Sequence, residues 1–138
     1  KKILMIATLL LLAVACNKNQ KAVKKLDGNW NATSYTVTED GVTSDLIAFG
    51  FGVEMDFDRC KLNNDEFCSM TTTRSLDGST ETEASVYRVT NDGTKLEQKE
   101  NLEATSIETI DIVELTRSTL RLQWEEDGST ARLTFEQL

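Results

Sequence analysis

The chain has 138 residues, with 15 Lys and Arg against 23 Asp and Glu, and it contains neither histidine nor proline. Without His there is no Ser-His-Asp or Cys-His nucleophile, no His-ligated catalytic zinc or haem, and no imidazole acid-base group at neutral pH. A formal charge of −8 argues against a nucleic-acid partner, because phosphate contacts need a basic face.

Lys1 and Lys2 precede Ile3 to Ala15, thirteen residues of which only Thr8 is polar, and Cys16 follows. A membrane-spanning helix needs about 20 apolar residues, so this run reads as a secretory signal instead. The end of the run, Leu12-Ala13-Val14-Ala15-Cys16, resembles the lipobox of bacterial lipoproteins. That resemblance implies acylation of Cys16 and a lipid anchor in the membrane. Residues 17–25 carry four lysines and no acid, and they are expected to form a flexible tether between lipid and domain. Residues 26–138 hold 9 bases and all 23 acids, a formal charge of −14. The −8 of the whole is therefore a basic membrane end joined to an acidic body. The resemblance places the protein in the cell envelope, anchored to the outer membrane. The lack of acidic residues just after Cys16 favours its periplasmic face.

From residue 26 onward the pattern is strands and tight turns. Five of the seven glycines follow aspartate, at Asp27-Gly28, Asp40-Gly41, Asp77-Gly78, Asp92-Gly93 and Asp127-Gly128. Asp-Gly supplies the positive φ that two-residue hairpin turns require. Between these turns the sequence predicts strands at 29–38, 51–62, 66–74, 82–90, 94–99, 106–116, 119–126 and 130–137, with 42–48 a ninth short strand or a lid. Phe49, Phe51, Val53, Met55 and Phe57 alternate with Gly50, Gly52, Glu54, Asp56, Asp58 and Cys60. Period-2 alternation of this kind gives a strand one buried and one wet face. Leu120, Leu122 and Trp124 alternate with Arg121, Gln123 and Glu125, and Ala131, Leu133 and Phe135 with Arg132, Thr134 and Glu136. A run of such hairpins is an all-β antiparallel up-and-down meander, whose eight or nine strands hide their edges by closing into a barrel. A β-sandwich is the rival architecture. An outer-membrane barrel is excluded, since its outward face would carry Glu54, Asp56, Asp58 and Arg121 into lipid.

The segment Leu26-Asp27-Gly28-Asn29-Trp30 resembles the G-x-W motif of lipocalins, whose Trp packs at the closed end of an eight-stranded barrel. Together with the lipobox, residues 26–138 resemble the small lipocalin-like lipoproteins of Gram-negative bacteria. The T-D-x-x-Y block of typical lipocalins is absent, so the likeness is to the looser class. The family's late Arg, which packs on that Trp, would have to be Arg121 or Arg132.

Cys60 and Cys68 each lie four residues from Asn64, so a symmetric hairpin places them opposite each other, and an exported protein favours their oxidation to a structural disulfide. Glu54, Asp56 and Asp58 with the Asn63-Asn64-Asp65 turn lack a calcium-loop pattern and read as a solvated acidic face. Glu81/Glu83 and Glu125-Glu126 offer carboxylates but no acid-base pair with a defined geometry. The expectation is a non-enzymatic protein without metal or cofactor. Two roles follow. In the first, Trp30, Phe51, Met55, Phe57, Leu122, Trp124, Leu133 and Phe135 line a cavity that binds a small apolar or amphiphilic ligand, as the resemblance implies. In the second, the same side chains fill the barrel, which acts through its surface as a structural or protein-interaction module of the envelope.

Overall fold

A computed structural model describes residues 18–60 and 66–138. The signal segment with Cys16, and the Asn63-Asn64-Asp65 turn, lie outside the described residues. The predicted strands are found with shifts of a few residues: β1 Gly28–Glu39, β2 Val42–Asp45, β3 Gly52–Phe57, β4 Cys68–Leu76, β5 Ser79–Thr90, β6 Lys95–Lys99, β7 Glu108–Leu115, β8 Thr119–Glu126 and β9 Ser129–Gln137. Neighbours pair antiparallel in the order β2-β1-β3-β4-β5-β6-β7-β8-β9, and β1 also pairs with β9. That last pairing closes β1 and β3 to β9 into an eight-stranded barrel, which removes the sandwich alternative. The segment 42–48 supplies the short β2, which pairs only with the outer part of β1, through Thr36↔Asp45 to Glu39↔Val42. A single 3-10 turn, Ile47–Phe49, follows it.

The turns explain why the meander is up-and-down. Asp40-Gly41, Asp77-Gly78 and Asp127-Gly128 are two-residue connections in which both residues have positive φ, between 48° and 81°. This is the backbone twist that matches the right-handed twist of the flanking strands. Asp27-Gly28 does a different job from the one expected: only Gly28 has positive φ, 116°, and it turns the chain from a helix into β1. Two bulges re-aim side chains. One, between Ala32 and Ser34 on β1, shifts the inward positions from Trp30 and Ala32 to Tyr35. The other, between Ile112 and Glu114 on β7, shifts the next inward position from Glu114 to Leu115, which packs against the core.

The flexible tether is corrected. Residues 18–26 are helical (α1), and Ala22, Val23 and Leu26 are buried at 6%, 8% and 0% exposure. These residues share one helix face, while Lys18, Lys21, Lys24 and Lys25 stay outside. An apolar stripe of this spacing covers the barrel end where β1 begins, so the folded unit starts by residue 18 rather than 26. The helix is fixed at both ends. Asn19 Oδ1 accepts from the Gly93 N–H in the β5–β6 turn at 2.7 Å, and the Trp30 indole donates to the Leu26 carbonyl at 2.8 Å.

This closed half of the barrel is packed solid. Leu26, Trp30, Phe57, Met70, Tyr87, Leu96, Leu120 and Phe135 are each at most 1% exposed. Phe57 and Tyr87 meet edge to face, centroids 5.0 Å apart, and the Tyr87 hydroxyl donates to the Asp58 carbonyl at 3.0 Å. Burial first, then the charges of Asp27 and Asp58, hold the Tyr87 phenol far above its ordinary pKa. The Cys60–Cys68 disulfide lies just past the β3–β4 ladder, with Cα atoms 5.5 Å apart. It is not a directly opposed pair, because continuing the register of Phe57↔Met70 would set Cys68 against Arg59.

Candidate ligand cavity

The opposite half of the barrel is open. A cavity of about 870 Å³ occupies it and reaches the mouth between the β4–β5 and β8–β9 turns. Its volume falls within the range of small-molecule sites, about 300–1,000 Å³.

One wall of the cavity is apolar and comes from β8, β9, β1 and β3: Leu122, Trp124, Leu133, Tyr35, Val53 and Met55. The β1 bulge brings Tyr35 to the inside, where its ring lies 6.2 Å from that of Trp124, tilted by 44°. Leu46 and Phe51 form the rim above this wall, on the segment that joins β2 to β3. Asp45 fixes that segment by accepting from the backbone N–H groups of Tyr35 and Ile47, each at 3.1 Å, while the Leu46 N–H donates to the Tyr35 carbonyl at 2.7 Å. A Cβ at Gly52 would overlap Ser75 Oγ on β4, so a larger residue there requires that hydroxyl to rotate away.

The facing wall, from β4 to β7, is polar. Thr72, Arg74, Glu81, Gln98 and Glu108 line it. Gln98 Nε2 donates to Ser85 Oγ at 3.1 Å, and Arg74 is ion-paired to Glu83 at 3.0 Å. Thr72 is only 3% exposed, and its hydroxyl has no hydrogen-bond partner among the described residues. Among the described residues no cluster of three or more His, Cys, Asp or Glu is placed to hold a metal.

Of the eight side chains expected to line a cavity, Phe51, Met55, Leu122, Trp124 and Leu133 do so. Trp30, Phe57 and Phe135 do not, because α1 and the closed-end strands pack them solid. Phe49, assigned by alternation to the buried face, is 69% exposed, since the 3-10 turn interrupts the strand period before Gly52. Neither Arg121 nor Arg132 packs on Trp30. Both point outward, Arg121 to Glu114 at 3.1 Å and Arg132 to Gln123 at 2.6 Å, and the Trp30 indole is satisfied by Leu26 instead. Sequence reasoning missed Tyr35, hidden by the bulge, and the whole polar wall. The inward alternation Met70, Thr72, Arg74 could have pointed to the latter.

No family model and no curated protein matches the chain. Solved structures do. A lipocalin-like protein from Bacteroides uniformis superposes with a TM-score of 0.55 at 19% identity, covering 83% of this chain and 99% of its own. A redesigned β-barrel superposes with a TM-score of 0.53 at 16% identity, covering 85% and 95%. The fold is thus that of a lipocalin-like barrel.

Proposed function

We propose that this protein is a lipid-anchored, non-enzymatic carrier that binds one small apolar or amphiphilic molecule in the open half of its barrel. The observation that carries the reading is the cavity of about 870 Å³ with Trp124, Tyr35, Leu122 and Leu133 on its wall. Eight strands leave an interior that side chains fill or that holds one small ligand, and here the two outcomes divide the barrel: α1 and the large residues fill one half and leave the other vacant. The absence of His from the sequence supports a binding role over a catalytic one. The anchor is supported by the apolar run ending in Ala15-Cys16, and dual acylation would make attachment effectively permanent.

Native mass spectrometry of the Cys16→Ser chain should show a bound small molecule that is lost from Leu133→Trp, a substitution that fills the lumen. Retention of the same molecule by the filled variant would defeat the carrier role. For the anchor, the intact mass of the wild-type chain should include acyl groups that Cys16→Ser lacks. An unmodified wild-type mass would exclude lipidation.

A further inference from the structure

The bases of this chain are unevenly placed, and those without an acidic partner gather at the closed end of the barrel. We infer that this end, led by the outer face of α1, docks on the surface of an anionic phospholipid bilayer. The surface lies apart from the cavity, so the inference does not rest on the carrier reading, and it does not require acylation of Cys16.

Two observations carry it. The first is the fixed roll of α1, because Ala22, Val23 and Leu26 pack on the barrel and Asn19 is held by the Gly93 N–H. At 3.6 residues per turn, Lys18, Lys21, Lys24 and Lys25 then fall within an arc of about 120° on the far side. All four are exposed, and no acid interrupts residues 18–26. The second is the pairing of charges. Arg74, Arg88, Lys95 and Arg121 are each ion-paired to a carboxylate. Among the described residues the α1 lysines, Arg59 and Arg117 are in no ion pair. Arg59 and Arg117 lie on connections at the same end, after β3 and between β7 and β8. The described closed-end segments, 18–27, 58–60, 66–67, 91–94 and 116–118, carry these six bases against four acids. The mouth connections, 40–51, 77–78, 100–107 and 127–128, carry six acids and no base.

Screening decides which of these charges a flat surface feels. The field of a charge falls off within a Debye length of about 8 Å, and a strand of eight residues such as β8 sets the mouth acids roughly 20 Å away. The acidity of the body therefore does not cancel the lysine face. Each lysine close to an anionic bilayer is worth about fivefold in affinity. The apolar run 3–15 and Cys16 directly precede α1, so a membrane that takes up this run meets the lysine face first, which selects a lipid surface over other polyanions.

The test is co-sedimentation of the full-length Cys16→Ser chain with vesicles of phosphatidylcholine alone and of equimolar phosphatidylcholine and phosphatidylglycerol. The apolar run acts on both, so the ratio of the two partition coefficients reads the charge. That ratio should exceed about tenfold at low ionic strength and fall as salt screens the surface. Lys18→Gln, Lys21→Gln, Lys24→Gln and Lys25→Gln combined should lower it at least about tenfold with an unchanged Tm, since all four side chains are exposed. Alone, Lys21→Gln should lower it about fivefold, whereas Arg132→Gln, one charge lost from the outer wall of the open half, should leave it unchanged. Excess glycerol phosphate should not compete, because the attraction is to the summed potential of many head groups. No preference for the anionic vesicles, an equal loss in Arg132→Gln and Lys21→Gln, or competition by glycerol phosphate overturns the docking surface. Each of those results leaves the carrier role and the acylation of Cys16 standing, which are read by bound ligand and by intact mass.

Discussion

The Trp30 indole N–H donates to the carbonyl of Leu26, four residues earlier, at 2.8 Å, with both side chains fully buried. One bond thereby caps the last turn of α1, anchors the first barrel strand and satisfies a buried indole. Helix-end carbonyls have no intrahelical donor and must find one elsewhere. Trp30→Phe keeps an aromatic ring but leaves the Leu26 carbonyl unpaired. We expect a loss of about 1–3 kcal/mol from the orphaned group alone, read by urea denaturation. Amide exchange across residues 18–26 should accelerate more than that of β4 and β5. Equal loss of protection throughout would mean that the bond does not specifically hold the helix.

Docking of α1 can be isolated by a comparison of two glycines. Gly93 and Gly128 have nearly the same backbone conformation, φ 82° and 80°, but a Cβ at Gly93 would sit 3.3 Å from Ala22 Cβ and from the Lys18 carbonyl, while one at Gly128 meets nothing within 4 Å. Alanine at either position incurs the positive-φ penalty, about 1 kcal/mol. The excess destabilisation of Gly93→Ala over Gly128→Ala, measured by denaturation, should be positive and should disappear when residues 18–26 are deleted from both variants.

The Cys60–Cys68 bridge closes a loop with a sequence separation of 8. Chain entropy for so short a loop gives about 2.5 kcal/mol. The Cys60→Ser, Cys68→Ser double variant should lose up to that amount in chemical denaturation. The wild type under reducing conditions should behave like the variant.

Tyr87 makes the barrel sensitive to alkali. Its folded pKa lies well above the usual value, raised chiefly by burial and then by Asp27 and Asp58. The folded state therefore keeps the phenolic proton where the unfolded chain gives it up. Stability from this group is fully present below the ordinary tyrosine pKa of about 10 and falls as pH rises beyond it toward the folded value. Tyr87→Phe should be less stable at neutral pH, through loss of the bond to the Asp58 carbonyl, and should show a shallower decline between about pH 10 and 12. Parallel declines in the two proteins would assign the alkaline loss to other groups.

Much of the barrel was legible because its signals are local. Asp-Gly turns and period-2 alternation fix strand ends and the inward face without reference to distant residues, so β8 and β9 were placed almost to the residue. The misreadings occurred where tertiary packing decides. Residues 17–25 carry a tether's composition, and only the uncovered barrel end makes a helix of Ala22, Val23 and Leu26 worth forming. The bulge at Thr33 leaves no mark in the alternation, which hid Tyr35 from the cavity. Trp30, Phe57 and Phe135 have the same composition as the true lining residues. What separates the two groups is position along the barrel axis relative to α1, a property that strand alternation alone does not encode.

The helix also sets a direction. α1 begins at residue 18 among those described and seals the end of the barrel remote from the mouth, while Cys16 precedes it by two residues, a reach of about 7 Å at full extension. An acyl anchor at that cysteine would stand the barrel on its sealed base like a cup, with the mouth turned away from its own bilayer. A ligand would then enter and leave through the aqueous space. Exchange with the membrane that holds the protein would require the cup to tip over, whereas a partner or membrane across the gap would meet the opening first.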